Sequence, residues 1–349
     1  MKASRVLAFV LLVATGCSGG GARTITPPPA PLPPPLPVTQ SCRSGAPLRV
    51  HFYDVGQGLA ALVDLPDGRH VLVDTGDAPH RSDCGASCEA WHEHFVTKLG
   101  GDLKGAPIDL LWITHPHSDH VGGATDVFSR FTVHELADNG RDLGKTEVSR
   151  TRRAAASTGC RVSTIEPAQR RVGLADTDNV HFTSIVPPAW PSRCKGDANE
   201  CSILLRIDYC ASSILFTGDA EAEEERLVNV GGPVSLLQVG HHGSHTSTTD
   251  AFVNATSPRY AVISSAKPGE GTNGSYCHPR ASVVRRLSAR LGGSTRPLRA
   301  YDADKCVGGD AGWADIPASD RLWATSRDGD VVLTTTGDGT FVRTNSAAP

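Results

Sequence analysis

The sequence predicts two β-sheets sandwiched between helices, a mixed α/β (α+β) architecture. Two observations predict it: short apolar runs joined by turn residues at both ends of the domain, and helix-forming stretches between the later strands. Residues 48–55 alternate well enough for a strand, and Gly56, Gln57 and Gly58 turn the chain. Residues 59–65 and 70–73 flank Pro66, Asp67 and Gly68, a hairpin signal, and residues 74–77 (D-T-G-D) close its second arm. A cysteine-bearing insertion follows, then helical spacing over 91–99 and a buried strand over 108–113. Residues 180–186, 202–209 and 213–217 read as strands, the last ending at Gly218-Asp219, and glutamate-rich 220–228 reads as a helix. Residues 234–239 form another buried strand, closed by Gly240, His241, His242 and Gly243. A helix over 248–255, a strand over 260–264 and an arginine-bearing helix over 279–291 come next. Residues 321–342 alternate Gly-Asp turns with β-branched residues and should finish a sheet.

The N-terminal residues read as an export signal over 1–17: Lys2 and Arg5 precede an apolar run, 6–13, too short to span a bilayer. Ala14, Thr15, Gly16 and Cys17 resemble a lipobox, which would make Cys17 a lipidated mature N-terminus. Ala14 stands where leucine is usual, so ordinary signal cleavage is the alternative. Residues 18–41 are proline-rich, favour polyproline II and read as a tether, leaving 42–349 as one domain. The expected location is the periplasm or cell surface, lipid-anchored to a membrane, with no obligate protein partner. A net charge of −3 excludes a strong field for nucleic acid or anionic membrane. Nine cysteines remain besides Cys17, and in an exported protein they predict disulfides with at least one thiol left over. Cys84 and Cys88, with His92 and His94, read as disulfide or loop rather than metal finger.

The chemistry is carried by T-H-P-H-S-D-H, residues 114–120. His115, His117, Asp119 and His120 lie at the end of a buried strand. They offer the imidazole and carboxylate ligands that Zn²⁺ or Mn²⁺ accept, enough for two neighbouring ions. Three further strand ends add matching parts. Asp219 could bridge two cations through its two oxygens, His241 or His242 could add a ligand, and Asp74 could orient a ligating histidine. Gly243 to Ser247 could present backbone N–H groups and the Ser244 hydroxyl to an anion at a helix start. His278, in a later loop, could contact substrate or protonate a leaving group. Asp54 could reach the site or cap a turn.

These motifs resemble the metallo-β-lactamase fold superfamily, and within it the C-terminal hydrolase domain of ComEC-type competence proteins. The shared stretches are Y-D-V-G-Q-G-L-A (53–60), L-V-D-T-G (72–76), T-H-P-H-S-D-H-V-G-G, N-E-C-S-I-L-L-R-I (199–207), L-F-T-G-D-A-E-A-E-E-E, Q-V-G-H-H-G-S and C-H-P-R. The resemblance implies a four-layer αββα sandwich holding one or two ions of Zn²⁺ or Mn²⁺ at its edge. His115, His117 and Asp219 would hold the first ion. Asp119, His120, Asp219 and one of His241 and His242 would hold the second. Asp119 would also serve catalysis, with a metal-activated water as nucleophile. Two departures stand out. His117 restores a histidine where ComEC-type domains often carry aspartate. Asn199 stands near the place of the lactamases' third histidine, which implies a weakly held first ion or a one-ion enzyme.

The resulting expectation is an exported metal-dependent hydrolase, most simply a phosphodiesterase or nuclease whose substrate is a phosphodiester or other small ester, with DNA as one candidate. The arginines 280, 285, 286 and 290 could supply phosphate contacts. A β-lactamase or lactonase acting on an amide or ester, and a non-catalytic metal-binding envelope lipoprotein, are the alternatives. The family's membrane channel has no counterpart in the sequence, so a role in DNA uptake is not implied.

Overall fold

Strand side chains alternate between faces, so apolar residues two apart share one side of a sheet and their intervening neighbours the other. The computed structural model of the protein describes residues 46–167 and 172–345. The expected signal, Cys17, the proline-rich linker and Cys42 lie outside the described residues. The chain begins with an antiparallel meander, β1 (Leu48–Phe52), β2 (Ala61–Asp64) and β3 (His70–Val73). It continues in parallel through β4 (Leu110–Trp112), β5 (Glu135–Asp138) and β6 (Arg161–Thr164). The crossovers carry α1 (Ala86–Leu103), then the short α2 (Ser118–Val121) and α3 (Ala124–Arg130), then α4 (Thr146–Thr158).

The second half repeats this plan. A meander of β7 (Val180–Ile185), β8 (Leu204–Tyr209) and β9 (Ser212–Phe216) leads through α5 (Ala222–Leu227) to the parallel β10 (Leu236–Gln238). Then α6 (Asp250–Thr256) leads to the parallel β11 (Tyr260–Ile263). After α7 (Asn273–Tyr276) and α8 (Ala281–Leu291), a hairpin of β12 (Thr295–Tyr301) and β13 (Trp313–Ser319) precedes β14 (Leu322–Ala324), which extends the second sheet beside β11. Past α9 (Thr325–Asp328), β15 (Val331–Thr335) returns to the first sheet beside β1, with β16 (Val342–Arg343) at its edge.

Burial follows the alternation. Val71, Val73, Leu110 and Trp112 of the first sheet meet Leu205, Ile207, Ile214 and Phe216 of the second in a central core. Leu72 and Leu111 point the other way, against Phe95 and Leu99 of α1. Leu215, Leu237 and Ile263 point outward against Phe252 of α6 and Val284 and Leu287 of α8. The four layers are therefore helix, sheet, sheet, helix, as expected. Several stretches differ from the sequence reading, the short helices α2, α3 and α7 among them. β5, α4 and β6 were not anticipated, nor was the β12–β13 hairpin, and residues 321–342 divide between the two sheets instead of finishing one.

Disulfides join Cys84 to Cys88, Cys194 to Cys201 and Cys277 to Cys306. Cys210 is disulfide-bonded too, and Cys160 is a buried free thiol. His92 and His94 turn instead to Asp126 and Asp330. No helix among the described residues is long and apolar enough to cross a membrane.

One buried ion-pair group away from the cleft gives the fold a pH dependence. His51 Nε2 lies 2.8 Å from Asp64 and its Nδ1 3.3 Å from Asp102. Burial opposes the charged ring, but the two carboxylates outweigh it and raise its pKa from 6.5 to about 9. A raised folded-state pKa means that this stabilisation, on the order of 3 kcal/mol, is complete below pH 6.5 and disappears as pH rises through about 9. Urea unfolding at pH 6, 8 and 10 should show stability declining across that range, with a shallower decline for His51→Gln. Equal slopes in the two proteins would contradict the assignment.

Candidate metal centre

Four strands deliver the site, each ending just before a ligand-type residue: Asp74 follows β3, His115 follows β4, Asp219 follows β9, and His241 and His242 follow β10. β3 pairs in parallel with β4, and β9 with β10, so within each sheet both chain exits lie at the same edge. Two close approaches explain the glycines of the motifs. A Cβ on Gly58 would stand 2.6 Å from the Asp119 carbonyl, and Gly218, at φ +54, would place one 2.6 Å from the Thr114 Cβ. Gly218 is thus what lets Asp219 reach the histidine motif of the facing sheet.

Asp74 is fully buried and itself sits at φ +57, a conformation unusual for a residue with a side chain. Its Oδ1 accepts from Thr114 N at 2.8 Å. Its Oδ2 accepts from Thr114 Oγ1 and from His120 Nδ1, both at 2.7 Å. Because the threonine proton goes to the carboxylate, Thr114 Oγ1 accepts from His115 Nδ1 at 3.1 Å. His242 Nδ1 donates to the Ser264 carbonyl at 2.8 Å, and His241 Nδ1 to Glu221 Oε1 at 3.0 Å. These partners assign the tautomers: when neutral, all four rings keep the Nε2 lone pair free.

Those lone pairs converge. His120 Nε2 lies 3.2 Å from Asp219 Oδ1, and His242 Nε2 lies 3.3 Å from Asp119 Oδ2 and 3.4 Å from Asp219 Oδ2. The two Nε2 atoms face each other at 3.3 Å. One donor atom from each of Asp119, His120, Asp219 and His242 falls within 4.8 Å of the others. Such a ring of acceptors requires positive charge at its centre. Protons alone would supply it through the imidazoles: burial opposes this, but Asp219 and Asp74 raise His120 well above its ordinary value, and Asp219 and Asp119 raise His242 to about 10. The same contacts, chiefly with His120, hold Asp219 well below the carboxylate range despite its burial. A divalent cation suits the donor set better, since imidazole and carboxylate are its ordinary ligands. Asp219 Oδ1, moreover, is buried without a well-aligned hydrogen bond.

A second convergence shares Asp219. His115 Nε2 and His241 Nε2 lie 4.0 and 3.9 Å from Asp219 Oδ2, and His117 Nδ1 faces His115 Nε2 at 3.1 Å. Burial lowers the pKa of both His115 and His117, so both are neutral and able to ligate. The histidine pair is therefore divided: His242 joins Asp119 and His120, while His241 lies near Asp219 with Asn199 beside it. Asn199 Nδ2 is 3.4 Å from His241 Nε2 and donates to Glu221 at 3.3 Å.

The remaining expectations fare unevenly. His278 lines the cleft, buried, its ring centroid 5.4 Å from that of His241. Burial and the neighbouring His241, His242 and Arg280 hold it well below its ordinary pKa. Asp54 caps a turn, accepting from Gly56 N at 3.3 Å, and is not part of the cleft. Ser244 is buried with its Oγ 2.8 Å from Thr246 Oγ1. Within the 243–247 turn, the Ser244 and Ser247 N–H groups donate to the carbonyls of His241 and Ser244, and the Thr246 N–H to the Ser244 hydroxyl; just beyond it, the Thr248 and Thr249 N–H groups donate to the Glu225 carboxylate. Arg285 and Arg286 are taken up by Asp302 and Asp250, and Arg280 by backbone carbonyls of Tyr276 and Ala303. The cations that do line the cleft, of about 930 Å³, are Arg81, Lys145 and Arg150. No sequence signal distinguished them, since nothing local marks a surface cation as facing a cleft. Thr114 and Glu221 were also missed, although Thr114 sits directly before the motif.

The family model described as the metallo-beta-lactamase superfamily matches residues 53–267. The chain belongs to the metallo-β-lactamase superfamily. Three of its relatives are ComEC-type competence proteins: ComE operon protein 3 of Bacillus subtilis is 29% identical over 72% of this chain and 31% of that protein. Recombination protein 2 of Haemophilus influenzae is 30% identical over 68% and 26%, and competence protein ComA of Neisseria gonorrhoeae is 32% identical over 69% and 29%. The chain thus spans less than a third of the length of these relatives.

The partners behind the candidate ligands are open to direct test. Asp74→Asn keeps the shape but removes the charge that Thr114 and His120 share. Competition with a chromophoric chelator should show metal affinity weakened about 10- to 100-fold. Unchanged affinity would mean that Asp74 only fills space.

Proposed function

We propose that this chain is a metal-dependent phosphodiesterase that works outside the cytoplasm. The observation that carries this reading is Asp219 in an open cleft, whose Oδ1 faces His120 and whose Oδ2 lies among the Nε2 atoms of His242, His115 and His241. Asp119, His120, Asp219 and His242 would hold one divalent ion. His115, His117 and Asp219 would hold the other, with His241 completing the set where Asn199 stands in place of a histidine. Bound there, Zn²⁺ or Mn²⁺ supplies Lewis acidity and lowers the pKa of water.

The chain's own residues supply positioning. Lys145 and Arg150 are exposed on the cleft wall and form no ion pair with any described residue, so they can meet a phosphodiester's charge. Arg81 is locked instead: it bonds Asp77 and Ser118 at 2.8 and 2.9 Å and also holds Asp83, tying the 78–83 loop to the histidine motif. His278 contributes a neutral imidazole near His241. The disulfides support export to an oxidising compartment, which agrees with a signal at 1–17 and a lipid anchor at Cys17. The relatives' names refer to competence and recombination; for this chain we take from them only a nucleic-acid substrate class.

The test uses oxidised protein loaded with Zn²⁺ or Mn²⁺, a chromogenic phosphodiester, single-stranded DNA and a chromogenic cephalosporin. Phosphodiester cleavage should be abolished by chelation. Asp119→Ala and Asp219→Ala should each lower it by more than the about 100-fold that loss of an outer partner can cost. Cephalosporin turnover without phosphodiester cleavage would replace this reading with amide hydrolysis.

A further inference from the structure

Among the described residues lining the cleft is one exposed tyrosine ring that the hydrolytic site does not use. Tyr276 lines the cleft and is 42% exposed, an unusual position for so large a ring. Its inner face stacks on His278, centroids 6.1 Å apart and planes within 20°. His278 in turn meets His241 edge-on at 5.4 Å, and His241 Nε2 lies 3.9 Å from Asp219. A ladder of three rings therefore leads from the metal-facing carboxylate to the cleft mouth.

The platform is held firmly. Cys277, between the two rings, is bonded to Cys306. Asn273 clamps the backbone of His278 from both sides, donating to its carbonyl and accepting from its N–H at 2.7 Å each. The backbone that carries both rings is thus held in place, and a tyrosine has few rotatable bonds to immobilise when a planar ligand settles on it.

We propose that Tyr276 is a base-stacking subsite, receiving the nucleobase of a nucleotide that adjoins the scissile phosphate. The inference rests on the phosphodiesterase reading and specifies its substrate as a nucleotide ester. Every base offers a π-face, so one flat ring gives affinity without sequence preference. Lys145 and Arg150, unpaired on the cleft wall, suit the phosphates of the same strand. A choline-type headgroup is the poorer fit: quaternary ammonium recognition uses a cage of several aromatic rings, and Tyr276 is the one Phe, Trp or Tyr among the described residues lining this cleft.

The test compares two esters on the metal-loaded protein, the p-nitrophenyl ester of thymidine 5′-monophosphate and methyl p-nitrophenyl phosphate. Both carry the same leaving group, so their kcat/KM ratio reports the base and sugar. In Tyr276→Ala that ratio should fall about tenfold, chiefly through KM of the thymidyl ester, while Tyr276→Phe should retain it. An unchanged ratio in Tyr276→Ala, or an equal fall in Tyr276→Phe, would overturn the stacking subsite and leave the phosphodiesterase reading standing. Cleavage of neither ester by the wild-type protein would overturn both.

Discussion

The candidate centre depends on one buried carboxylate. Asp74 lies in a backbone conformation that a side chain disfavours, is wholly removed from water, and meets donors from Thr114 and His120. Burial raises its pKa, while His120 and Thr114 oppose that rise. An unpaired carboxylate there would be prohibitive. What this arrangement achieves is orientation: through Thr114 it sets the proton positions of His115 as well as His120, so that one residue from β3 determines how two ligands emerging from β4 present themselves. Sheet pairing makes this possible, because the parallel register of β3 and β4 brings their exits together.

The floor and walls of the cleft are built differently. The floor residues emerge from strands packed between two apolar cores, and their positions are fixed by sheet hydrogen bonds. The walls are loops, and the three disulfides resolved between described cysteines all cross-link wall segments. Cys84–Cys88 follows the 78–83 loop, Cys194–Cys201 encloses Asn199, and Cys277–Cys306 lies between Tyr276 and His278. Covalent links placed there restrict the loops directly, and Cys277–Cys306 joins an apolar cluster with Tyr301 and Trp313.

Much of this was legible in the chain. The strands before Asp74, His115, Asp219 and His241 announce themselves by apolar runs ending in Gly, Asp or His, and each is present. The unread elements had no such signal. β5 contains Glu135 and Asp138, buried yet charged, and their partners Arg161, Ser163 and Arg152 come from elsewhere in the chain. The β12–β13 hairpin is interrupted by prolines and arginines and joined by a long turn-rich segment, so alternation alone did not reveal it. Likewise, the arginines of α8 matched a phosphate-binding pattern, but Asp302 and Asp250 were already waiting for them.

The sequence by itself determined the candidate ligand types and the order of the strands that carry them, because residue type and local periodicity are properties of the chain. It also determined that at least one thiol would be left over, which the structure identifies as Cys160. Only the tertiary structure decided which histidine of the 241–242 pair joins Asp119, that Glu225 takes up the Thr248 and Thr249 N–H groups, and that the cleft is lined by Arg81, Lys145, Arg150 and Tyr276 and not by the arginines of α8. Each of those outcomes depends on distances between segments far apart in the chain, and such distances are fixed by how the two sheets pack, not by any window of sequence.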